Sequence, residues 1–192
     1  ALLAPERMAR YIALNIPFFK RPPINPVTLM RLRFGRDFYI VNFQDSDEAD
    51  RLFSADPRRF INRTMRSNQL TRAQYDALPA EHRVISLIRN MKQPRASGEP
   101  LLTSDELDYY AAAFAHSGFS GPINWYRNWT DNWRQLEDID PQIRVPTLFI
   151  GAKHDVVIDL GHIDAMRPLV DDLTIEMLDC GHWTQQERPR EV

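Results

Sequence analysis

The stretch NIPFFKRPPINP, residues 15–26, holds four prolines, and neither a strand nor a helix can run through it. Each proline lacks the backbone N–H that either ladder needs and has its φ locked. Just before it, Tyr11 to Leu14 (YIAL) reads as a strand, so the chain leaves its first strand abruptly. From about residue 27 to 136 the apolar spacing is helical, with no convincing alternating run. Thr103-Ser104-Asp105-Glu106 forms a capping box, and Leu107, Tyr110, Ala111 and Phe114 continue it as a helical stripe until Ser117-Gly118 stops it. Residues 90–100, NMKQPRASGEP, are polar and broken by proline and glycine, and read as a mobile loop. After Pro146 the pattern changes again: TLFIG is a strand, AKHDVVID its loop, LGHIDAMRPL a short helix, and Leu173 to Leu178 a short, mostly apolar strand with partial alternation.

The order is strand, helical insert, strand, helix, strand. It defines an α/β chain with core segments at 1–20 and 141–192 and a mainly helical cap over 21–140. Residues 1–10, ALLAPERMAR, read as the last turn of a helix plus a proline-containing connection, which implies an element begun upstream. The final PREV, 189–192, reads as the first turn of a helix with proline near N1. With 192 residues and 43% hydrophobic content the chain can bury a core, as one or two soluble domains. Lys+Arg 24 against Asp+Glu 26 excludes a global field that would gather nucleic acid. Arg58, Arg59, Arg63 and Arg66, interleaved with polar residues, read as a solvated helix face. No run is long and apolar enough to span a membrane. Cys180 is the only cysteine, so no intrachain disulfide can form, which fits a reducing, cytoplasmic setting. A homo-oligomer is compatible with all of this.

Two loops converge if the strands at 147–150 and 173–178 are parallel and joined by a helical crossover, because their C-terminal ends then share one edge of the sheet. Asp155 follows one end and His182 the other. An aspartate facing a histidine there can accept the Nδ1 proton, fix the tautomer and leave Nε2 as a general base. On spacing alone, the other reading is that Asp155 caps the next helix and His182 closes a turn. A zinc site drawn from His154, Asp155, His162, Cys180 and His182 is a further alternative, although their spacing matches no dense ligand pattern. Trp125, Trp129 and Trp133 recur at four-residue spacing and read as one core stripe, with Tyr126 about 100° around the helix from Trp125.

Taken together, FSGPINWYRNWTDNW (119–133), VPTLFIGAKHD (145–155) and DCGHWTQQERPREV (179–192) resemble the cap and C-terminal core of the α/β-hydrolase-fold epoxide hydrolases. PERMARYIALNIPF (5–18) and DFYIVNFQ (37–44) extend the resemblance over nearly the whole chain, weakest at about 46–100. It implies His182 as the acid-base residue, Asp155 as its orienting acid, and Tyr39 and Tyr126 as the cap hydroxyls that hold the epoxide oxygen. Trp183, Trp125 and Phe18 fall to the substrate pocket by the same implication. At position 42 the chain departs from the pattern, carrying Asn where a second aromatic is expected. The implied substrate is a small-molecule epoxide, and no metal or organic cofactor is implied.

The family's nucleophile is an aspartate on a G-x-D-x-G elbow, and its oxyanion hole uses a His-Gly loop. The glycines here, Gly35, Gly98, Gly118, Gly121, Gly151, Gly161 and Gly181, include no pair with that spacing, and there is no His-Gly dipeptide. The resemblance therefore implies a nucleophile upstream of Ala1, in an N-terminal half of the same fold that acts as this chain's partner. Two competing readings share the residues: a dehalogenase of the same fold, against which the tyrosine pair argues, and an inactive structural or interaction piece.

Overall fold

The computed structural model describes residues 1–67, 70–157 and 161–192. The end of the AKHDVVID loop, Leu160 at the head of LGHIDAMRPL, and residues 68 and 69 of the helical insert lie outside the described residues. In chain order the elements are β1 (Tyr11–Leu14), α1 (Pro26–Phe34), α2 (Tyr39–Asp45), α3 (Glu48–Ala55), α4 (Pro57–Thr64), α5 (Arg72–Asp76), α6 (Leu87–Lys92), α7 (Ser104–Ser117), α8 (Ser120–Arg127), α9 (Trp129–Gln135), β2 (Thr147–Ala152), α10 (Gly161–Met166), β3 (Leu173–Leu178) and α11 (Thr184–Glu187). Two compact units form: Ala1–Arg21 with Leu70–Tyr75 and Gln135–Val192, and Pro22–Gln69 with Asp76–Arg134. Residues 70–75, which the sequence reading leaves in the helical insert, group with the first unit.

The first unit is built on a parallel sheet of order β1-β2-β3. Tyr11 lies opposite Thr147, and Thr147 opposite Leu173, so all three C-terminal ends reach the same edge. As the central strand, β2 is buried along almost its whole length. Along β3 the exposed Thr174 and Glu176 alternate with half-buried Leu173, Ile175 and Met177. Phe149 and Met166, both 0% exposed, centre a core with Ala13, Ile143, Ile163 and Val170.

The second unit is helical, and its local signals are those written in the chain. Asn25 accepts the Val27 N–H at 2.8 Å and caps α1, which starts on Pro26. The proline-rich exit thus ends one residue sooner than residues 15–26 suggest. Thr103 and Glu106 close a capping box on α7, and Gly118, at φ 68, ends it in the left-handed region. Two apolar clusters fill the unit, one around Phe43, Phe53, Phe119 and Ile123 and the other around Phe38, Ile40 and Val41.

Several sequence expectations are corrected. Residues 1–10 hold no α-helical turn; a single 3-10 turn, Pro5–Arg7, stands there, with the proline suited to its first position. At the other end α11 stops at Glu187, and residues 189–192 form a turn in which Arg188 O accepts the N–H groups of Glu191 (3.2 Å) and Val192 (3.3 Å), with Pro189 at a position where a helix start needs no N–H, as the sequence suggests. The tryptophans do not form one buried stripe. Helix α8 ends at Arg127 and is capped by Asn128, whose N–H bonds to Asn124 O, and a new helix starts at Trp129, so the four-residue spacing is interrupted. Trp125 is 78% exposed, whereas Trp133 is half-buried and donates from Nε1 to Pro22 O at 2.8 Å.

The arginine cluster is a solvated face only in part. Arg63 is 7% exposed and donates to the carbonyls of Asn90 (2.7 Å), Gln93 (2.6 Å) and Arg95 (2.9 Å). Arg59 holds Met91 O and Gln93 O, and Arg66 holds Ser97 O and Gly98 O. Arg58, paired with Asp108, and Arg59 are both exposed. Residues 90–100, read as a mobile loop, begin inside α6 (Leu87–Lys92), and their carbonyls between 90 and 98 are clasped by three guanidiniums, whose planar forks suit several carbonyls at once. Gly98, at φ +75, lies so close to Ser67 O that a Cβ would meet it at 2.1 Å, so no other residue fits that closure.

Candidate active site

Asp155 is set by β2. The strand ends at Ala152, Lys153 and His154 turn, and Asp155 N–H bonds back to Ala152 O at 3.3 Å. The side chain is 1% exposed, and each carboxylate oxygen has a task. Oδ1 accepts the Val157 N–H at 2.7 Å, the local turn bond that an aspartate makes two residues ahead. Oδ2 meets His182 Nδ1 at 2.8 Å. One oxygen thus shapes the local turn and the other faces the imidazole; the turn bond reaches Val157, four residues before α10 begins at Gly161. A buried carboxylate is tolerable only with such partners. Because a carboxylate accepts, Nδ1 carries the proton and the Nε2 lone pair is left free for a substrate or water.

His182 lies four residues past the end of β3, with its side chain 30% exposed. Its loop is held at several points: Gly181 N–H donates to Glu187 Oε2 at 2.8 Å, and His154 N–H donates to Cys180 O at 3.0 Å. Asn15, at the end of β1, donates from Nδ2 to His182 O and accepts from Thr184 Oγ1. Trp183 is half-buried and meets the His182 ring edge to face at 5.2 Å. Phe18 packs against the apolar core of the sheet unit. Asn15 and Glu187 are absent from the sequence reading. The signal for Asn15 is faint: an Asn at a strand's end, where the backbone turns.

In the second unit, Tyr39 opens α2 and Tyr126 closes α8. Gln44 Nε2 donates to Tyr126 O at 2.8 Å and Arg127 Nε to Phe43 O at 2.9 Å, stitching the two helices together. The rings of Tyr39 and Tyr126 meet edge to face at 5.4 Å, and both also pack against Phe43. Burial pushes the Tyr126 phenol above its ordinary value, and a hydrogen bond with Tyr39 offsets part of the rise. Such a phenol stays neutral and can donate at neutral pH. Trp125, one residue earlier, stands apart on the exposed face.

The remaining residues of the zinc alternative are engaged elsewhere. His154 Nε2 meets Asp179 at 2.7 Å, His162 packs on Phe19 at 5.7 Å, and among the described residues no three His, Cys, Asp or Glu side chains are grouped to hold a metal. No helix among the described residues is long and apolar enough to cross a membrane.

No family model matches the chain. Among curated proteins it is 34% identical over 200 residues to Epoxide hydrolase A of Mycobacterium tuberculosis, a match that takes in all of this chain and 61% of that protein. It is 30% identical to Bifunctional epoxide hydrolase 2 of Rattus norvegicus, over all of this chain and 34% of the relative. The chain thus spans about three fifths of the first of these relatives and one third of the second. Among solved structures, epoxide hydrolase A from Mycobacterium thermoresistibile superposes with a TM-score of 0.82 at 31% identity, covering 99% of this chain and 60% of that one. An epoxide hydrolase from Vigna radiata gives 0.74 at 26% identity, over 99% and 61%.

Proposed function

We propose that this chain carries the last core strands and the helical cap of an epoxide hydrolase of the α/β-hydrolase fold, as its similarity along its whole length suggests, and that the full-length protein opens an epoxide to a 1,2-diol. The observation that carries the reading is the 2.8 Å contact between buried Asp155 and His182 Nδ1 at the C-terminal edge of a parallel sheet. In such sheets that edge is where ligands bind. The tyrosine pair, with Tyr126 held neutral by burial, is the second support, since ring opening releases a strongly basic alkoxide that needs a proton donor.

The reaction has two steps. A carboxylate from a segment upstream of Ala1 attacks an epoxide carbon; the new C–O ester bond forms as the ring C–O bond breaks, and the oxygen takes a proton from Tyr39 or Tyr126. Water then attacks the ester carbonyl while His182 Nε2 takes its proton, with Asp155 stabilising the imidazolium. Collapse regenerates the carboxylate, the proton returns to the departing diol oxygen, and solvent reprotonates the tyrosine.

The test is His182→Gln in the full-length protein, treated with styrene oxide and followed by intact mass. An adduct of one epoxide mass that accumulates in the variant and turns over in the parent is expected. A variant that never gains mass, beside a parent that makes diol, would sink the ester mechanism. Turnover of alkyl halides with none of epoxides would give the site to a dehalogenase.

A further inference from the structure

We propose that Asn15 is a positioning residue for His182, an inference that rests on His182 being the base of the ester-hydrolysis step. The first observation lies in the backbone. Asn15 N–H continues the parallel ladder to Ile150 O at 2.9 Å, and the next N–H, of Ile16, turns back to Leu14 O at 2.7 Å. Between them Asn15 sits at φ 62, the one non-glycine residue with positive φ among those described. That region is uncommon for residues with a side chain, Asn being the best tolerated, and three-residue turns around it are rare and strained. Glycine would take this conformation freely. Strain kept in place of a costless alternative points to work done by the side chain.

The amide makes two bonds, each to the loop of His182. Its Nδ2 donates to His182 O and its Oδ1 accepts from Thr184 Oγ1 at 2.6 Å. A carbonyl can only accept, so the nitrogen must face His182 and the orientation of the amide is fixed. Asn15 is 7% exposed and Thr184 0%, so neither bond has water as a ready substitute. The consequence is a two-strand grip on one residue: β2, through Asp155, holds the ring of His182, while β1, through Asn15, holds its main chain. Neither hold alone fixes Nε2, because the ring can pivot with its backbone and the backbone can shift under the ring. Asn15 touches no reacting atom.

The experiment compares Asn15→Gly and Asn15→Asp with the parent in the full-length protein. Glycine accepts the backbone conformation and deletes only the amide; aspartate keeps the acceptor for Thr184 and loses the donor to His182. Rapid-quench mass spectrometry with styrene oxide separates ester formation from ester decay. The expected result in both variants is ester decay slowed by about 10²-fold, the scale of a misplacement near 1 Å, while formation, which does not use His182, changes far less. The proton resonance of His182 Nδ1–H should also broaden by exchange. Ester decay at the parent's rate, or an equal slowing of both steps, overturns the proposal. A parent that forms no ester at all refutes the epoxide reading instead, and the Nδ1–H resonance then decides on Asn15 alone: unchanged in Asn15→Gly, it overturns the grip.

Discussion

Asp155 and Tyr126 illustrate how one side chain is made ready by its surroundings. Asp155 spends one oxygen on the Val157 N–H and the other on the imidazole, so the bond that shapes its own turn also aims the second oxygen. Tyr126 is held neutral by burial, the larger cause, against a hydrogen bond with Tyr39 that acts the other way. The sign of its effect on stability follows. Between the ordinary phenol value, about 10, and the higher folded value, the folded protein keeps a proton the unfolded chain has released. Stability from this group is whole below about pH 10 and is lost as pH rises through the folded value. An alkaline absorbance titration of the parent minus Tyr126→Phe should therefore show this tyrosinate appearing only above the ordinary range; ionisation at or below it would contradict the burial argument.

At the scale of elements, strands, caps and glycine stops follow local rules, while the arginine clasp does not. Asn25, Thr103 and Gly118 act on backbone groups within a few residues, so their roles are legible in the chain. Arg59, Arg63 and Arg66 reach carbonyls 27 to 34 residues away, and no spacing rule announces that. Arg63 pays for its burial with its hydrogen bonds: desolvation, then the neighbouring Arg59 and Arg66, pull its guanidinium below the ordinary arginine value. Replacing it with Met keeps the apolar stem and strands three carbonyls. The expected cost is about 3 kcal/mol, since bonds to charged groups are among the stronger ones. Urea denaturation measures it, and hydrogen exchange should show amides 90–98 losing protection first. Retained protection there would mean the clasp is ornamental.

For the molecule as a whole, the sheet unit and the helical unit each have their own apolar core, centred on Phe149 and Phe53. Phe53→Ala should cost about 3–5 kcal/mol, the usual range for a fully buried aromatic. Hydrogen exchange should place that loss in the helical unit, with β2 and β3 amides keeping their protection; a uniform loss would mean that the two cores unfold together. By itself the sequence determined the three strands, the helical insert and the capping box, and it left the facing of Asp155 and His182 as one of two readings that the 2.8 Å contact then chose between. Those depend on periodicity, on proline and glycine, and on parallel strands ending at a common edge. Tertiary structure alone decided that Trp125 is exposed, that the arginines clasp a loop, and that Asn15 grips the residue carrying the imidazole. The physical reason is range. A cap or a strand is a matter of neighbours along the chain, whereas the bond from Asn15 to His182 spans 167 residues and exists only once β1 and β3 flank the same strand.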